Sequence, residues 1–178
     1  MRDDRSQHDR DQSAARRFFT GVTEQAFMTD LGVADPPLID YVSGLLNRFL
    51  STEDIYAVRG VRGERLTQVA DMLEEASARR GLAQRTLHRH IGDFTLFWSG
   101  VFPEIAERIR KTGGKDALLD YREMGKRSYA AASRIPVEKE FAPSALLERL
   151  SEEFELCVYG LGEVRKAMED SQGGPLLV

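Results

Sequence analysis

The chain predicts an all-α fold, a compact single-domain bundle of about six or seven helices. Three observations predict it. Every strong apolar pattern repeats at the 3.6-residue period of a helix. No alternating run of useful length occurs, so a sheet is not expected. At 178 residues with 42% hydrophobic side chains, the chain is long enough for one sizeable core. The expected organisation is a disordered tail over 1–17, a helical domain over 18–170 and a frayed end over 171–178.

In the tail, Arg, Asp, Gln and Ser dominate and His8 stands alone, too little apolar surface to offset ordering entropy. Phe18, Phe19, Val22, Ala26 and Phe27 begin a first helix or turn that should stop at Gly32. Asp35-Pro36-Pro37 opens the next helix, because proline's fixed φ suits a first turn. Its stripe is Leu38, Val42, Leu45 and Phe49, with Ile39, Leu46 and Leu50 beside it. Ser51 to Asp54 reads as a capped start, interrupted by the Arg59-to-Gly63 stretch. A helix from about Glu64 to Arg80 should turn Leu66, Val69, Leu73 and Ala76 inward and end at Gly81.

The central helix should run from Leu82 toward Glu104. Leu87, Ile91, Phe94, Trp98 and Val101 share one narrow stripe, Phe97 widens it, and Leu96 points out of its back. A surface helix keeps its back polar, so the second half of this one should be covered all round. Pro103 then permits a fresh helical turn with Ile105 and Ile109. Beyond the Lys111-to-Lys115 loop, Asp116 should cap a helix to about Ala132. Its inner face is Leu118, Tyr121, Gly125, Ser128, Tyr129 and Ala132, and the small residues imply close approach of a neighbour. The last helix should run from Pro143-Ser144 to about Asp170 with the stripe Leu146, Leu150, Phe154, Cys157, Leu161, Val164 and Met168.

Several function classes are disfavoured. A net charge of −4 argues against a surface that coats nucleic acid. One cysteine excludes an internal disulfide framework and a multi-cysteine metal site, and its apolar helix face predicts a buried thiol. No apolar run suits a secretory signal or the ~20 residues of a membrane span, so the cytoplasm is the expected location and no membrane partner is expected. Lys111 to Lys115 lacks the phosphate-loop spacing, and Gly160-Leu161-Gly162 has Arg165 where a dinucleotide motif needs glycine. No cofactor is expected.

The candidate site residues lie on the central helix and the helix after the loop. Half-apolar faces with polar tips suit a mostly apolar pocket, which nominates His90, Asp93, Phe97, Tyr121 and Tyr129 as a groove floor for a protein partner or small ligand. His90 and Asp93, at i and i+3, can meet on one flank, either as a structural pair or, in a further alternative, as part of a metal- or haem-dependent enzyme at His90. His88 and His90 lie about 200° apart around a helix, so they cannot share one ion; no protein metal site is expected. A third class is DNA binding: GLAQRTLHRHIG resembles the turn and recognition helix of helix-turn-helix proteins, with Arg85, His88 and Arg89 as contacts. Gly81 and Leu87 fit that motif, His90 occupies the second apolar anchor, and the helix continues into a buried-looking run.

HIGDFTLFWSGVFPE, followed by YREMGKRSYAAAS, resembles a family of uncharacterised bacterial proteins over about Leu38 to Arg134. Gly92, Asp93, Leu96, Phe97, Ser99, Gly100 and Phe102 match its core pattern, and Tyr121, Met124, Gly125 and Tyr129 match its second helix. The resemblance implies a bacterial source and a shared helical fold, and no reaction. The leading expectation is therefore a protein- or small-ligand-binding regulatory domain.

Overall fold

The computed structural model describes residues 14, 16–49, 55–112, 114–138 and 142–172. Helix accounts for 78% of the structure and no strand forms among the described residues, which establishes the all-α class. Among the described residues there are eight helices rather than six or seven. We number them α1 (16–30), α2 (Pro36–Phe49), α3 (Val69–Ala78), α4 (Gly81–Val101), α5 (Pro103–Lys111), α6 (Tyr121–Arg134), α7 (Ser144–Glu152) and α8 (Phe154–Gln172). One reason for the higher count is Glu153, at φ −96° and ψ 21°, which divides the predicted last helix into α7 and α8. Hydrogen bonds still run across the bend, from Glu153 N to Arg149 O and from Cys157 N to Glu153 O.

The first helix starts by residue 16, inside the expected tail, and its last turn winds as a π-helix over Gln25–Asp30. Leu31 N reaches back five residues to Ala26 O, and Gly32 then turns the chain at φ 68°. The predicted start at Ser51 to Asp54 lies outside the described residues. After it, Arg59 and Arg65 form an isolated antiparallel bridge, and Gly60 N donates to Glu64 O. This small hairpin delays α3 to Val69, five residues later than the sequence predicts. At the other end α3 stops at Ala78, and Gly81 at φ 58° opens α4 instead of closing α3.

Asp116 corrects a second expectation. It does not cap α6; Asp120 does, accepting from Arg122 N at 2.9 Å and Glu123 N at 3.3 Å. Asp116 lies in a short 3₁₀ turn, Lys115–Leu118, and its carboxylate reaches across to α3. There it accepts from Val69 N at 2.8 Å and Ala70 N at 2.9 Å, supplying from a distance the cap that Gln68 does not provide. Leu118, predicted to face inward, is 97% exposed, because it ends the 3₁₀ turn and never enters α6.

Helix α4 is the axis of the bundle and packs against α2, α3, α5, α6 and α8. From His90 to Phe102 every residue is buried, as the apolar back of the helix predicts. Glycines set the closest approaches. A Cβ on Gly92 would lie 2.6 Å from the Tyr129 ring, and one on Gly125 would lie 2.4 Å from Phe154 and 2.5 Å from Thr95 Oγ1. Any larger residue would hold α4 and α6 apart. Gly100 admits Leu161 of α8 in the same way.

Candidate functional site

Asp93 is the polar centre of the core. It is 2% exposed, yet four donors from three helices converge on it. Its Oδ1 accepts from Tyr41 of α2 and Tyr129 of α6, both at 2.7 Å. Its Oδ2 accepts from Arg48 Nη2 at 3.1 Å, with Arg89 Nη1 at 3.7 Å. A carboxylate can be buried at tolerable cost only when its lone pairs are filled in this way. Burial first, and then the Asp93 charge, push both phenols well above their ordinary pKa, so both remain protonated donors. Burial disfavours the Arg89 charge, but Asp93 and Tyr41 outweigh it and its pKa rises.

His90 is not the partner of Asp93. Its ring lies among Phe49 and Phe94, with centroids 5.7 and 6.3 Å away, and it hydrogen-bonds to the Ile55 backbone. Its Nε2 is buried and has no hydrogen-bond partner among the described residues. Helical spacing puts His90 near Asp93, but the phenols fill the carboxylate first. The remaining groove residues do not share a floor. Phe97 packs on Phe49, Trp98 and Phe102, inside the core. Tyr121 donates its hydroxyl to Asp116 at 2.7 Å, and burial, then Asp116, raise its pKa. Of the five, only Asp93 and Tyr129 are joined directly.

The basic run is divided among different tasks. Arg85 is 4% exposed and donates to the carbonyls of Ala132 at 2.6 Å, Ala142 at 2.8 Å and Ile135 at 2.9 Å. It thereby closes the C-terminus of α6 and holds the segment leading to α7. Arg89 turns inward to Asp93, and His88 is partly buried, with its pKa lowered by desolvation. Cys157 is buried, and burial pushes its thiol up to about 12. Among the described residues, no group of three or more His, Cys, Asp or Glu is placed to hold a metal ion, and no helix is long and apolar enough to cross a membrane.

An open cleft of about 290 Å³ lies where the end of α4 meets the starts of α5 and α6. Ser99 comes from α4, Pro103, Ala106 and Glu107 from α5, and Asp120, Tyr121 and Arg122 from the start of α6. The chain changes direction at Phe102, between α4 and α5, at φ −133° and ψ 60°, and Pro103 at the first position of α5 permits the restart. Ser99 is 7% exposed, and its hydroxyl makes no hydrogen bond among the described residues. Thr95, one turn earlier, instead donates to the Ile91 carbonyl at 2.8 Å.

Reasoning from helix faces found Tyr121 and missed the other lining residues. Two signals pointed to them: the Asp120-x-x-Glu123 spacing of a helix start, and Ser99 within the family-like pattern. Comparison of the chain with protein families, with curated proteins and with solved structures finds no match.

Proposed function

We propose that this protein is a small-ligand-binding domain whose ligand enters the cleft between α4, α5 and α6. The observation that supports the reading best is Ser99. A hydroxyl placed on a nearly buried helix face usually bonds to a carbonyl one turn back. This one makes no such bond among the described residues, and Ser99 lines the cleft. The cleft volume of about 290 Å³ is at the lower edge of the roughly 300–1,000 Å³ range of small-molecule sites, so a metabolite-sized molecule fits the space better than a polymer.

The regulatory part of the proposal follows from Tyr121. It lines the cleft and also donates to Asp116, which in turn caps α3. A ligand that prefers one placement of Tyr121 shifts the start of α3 by its difference in affinity for the two placements. The test is a thermal-shift screen against a library of small metabolites, with Ala106→Phe as the filled-cleft control. A ligand should raise the melting temperature of the native chain and leave that of the filled variant unchanged. Equal shifts in both proteins would remove the cleft as the site.

A further inference from the structure

Resting on the reading of the cleft as a ligand site, we infer that its ligand class is a small primary ammonium, bound between Ser99 Oγ and the Asp120 carboxylate. The charges around the cleft set the sign. Glu107 is paired with Lys111 at 2.8 Å, and Arg122 is held by Glu155 of α8 at 2.8 Å. Among the described residues Asp120 has no such counter-ion. Its Oδ1 takes the two first-turn amides of α6, and its Oδ2 takes no hydrogen bond among the described residues.

The positive end of α6 would ordinarily attract an anion, but Asp120 already occupies that place. An incoming carboxylate or phosphate would meet the Asp120 carboxylate, while Arg122, the cation in the lining, is already held by Glu155. An ammonium instead finds two acceptors, the Asp120 oxygen and the Ser99 hydroxyl, and a charge-assisted hydrogen bond is about twice as strong as a neutral one. Pro103 and Ala106 form the apolar side of the cleft, which suits a short alkyl chain.

The experiment titrates the ¹⁵N-labelled full chain with n-butylammonium chloride, 1-butanol or sodium butyrate at matched ionic strength, following backbone amide shifts. Butylammonium should shift Ser99, Ala106 and Arg122 saturably; butanol should bind about tenfold more weakly, for want of the charge, and butyrate should leave these amides unmoved. Asp120→Asn retains a good cap residue and should cost butylammonium about tenfold in affinity while sparing butanol. Butanol binding as tightly as butylammonium, or an unchanged affinity in Asp120→Asn, would overturn the ammonium assignment and leave the cleft standing as a site. No response of these amides to any of the three probes would overturn both.

Discussion

At the scale of single residues, the Asp93 cluster makes a sharp expectation. Tyr129 is fully buried and gives its hydroxyl, the only polar atom of its side chain, to Asp93. Tyr129→Phe removes that donor and no ring carbon, so it should destabilise the protein by roughly 1.5–3 kcal/mol, the range for a hydrogen bond to a charged group. Urea unfolding measures this, and a double-mutant cycle with Asp93→Asn should show strong coupling. Additive effects would mean that the contribution of the hydroxyl does not run through Asp93. The need of Asp93 for a partner was legible in the sequence, since it lies on a helix covered all round. The partners were not legible. Tyr41 and Tyr129 are 52 and 36 residues away, whereas helical spacing shows only neighbours one turn distant.

At the scale of elements, the bundle uses remote polar groups to finish helices whose own sequences do not. Asp116 starts α3 and Arg85 ends α6, each across 47 residues for its first contact. Asp116→Ala leaves the Val69 and Ala70 amides and the Tyr121 hydroxyl without their acceptor, at a cost of roughly 2 kcal/mol. The loss should be local before it is global: hydrogen exchange at Val69 and Ala70 should accelerate more than at the centre of α4. Equal acceleration along the whole chain would refute the remote cap. Sequence reasoning put the helix faces in the right places but misplaced the ends of α3, because the hairpin at Gly60 and the distant Asp116 decide where it begins. Leu118 shows the same limit, since an apolar residue fits an apolar stripe on paper even when the chain has not yet entered the helix.

At the scale of the whole molecule, stability should decline in mild acid. Burial lowers the pKa of His90; Asp93 and the Ile55 backbone oppose that shift, while Arg89 and Arg48 add to it. Burial also lowers His88. The unfolded chain takes up these protons near pH 6.5, before the folded chain does, so the unfolded state binds more protons and stability falls as pH drops from about 7 toward 5. The urea midpoint should follow that course, with a shallower slope in His90→Gln; parallel slopes would assign the loss to other groups. Glu104 and Glu155, whose pKa values are lowered chiefly by Arg165 and Lys126, add their share only at more acid pH. The all-helical class and the covered central helix were legible throughout, because they depend on periodicity that every strong segment repeats. The cleft was not, because it arises from the angle between α4 and α5, which Pro103 permits but does not specify. That junction also provides an optical reporter. Trp98, the only tryptophan, sits beside Ser99 among Phe94, Phe97 and Phe102, 4% exposed, with no hydrogen-bond partner for its indole N–H among the described residues. Its emission should be blue and come from one dry site, so the intrinsic fluorescence of the unlabelled chain reads the state of the core one residue away from the cleft.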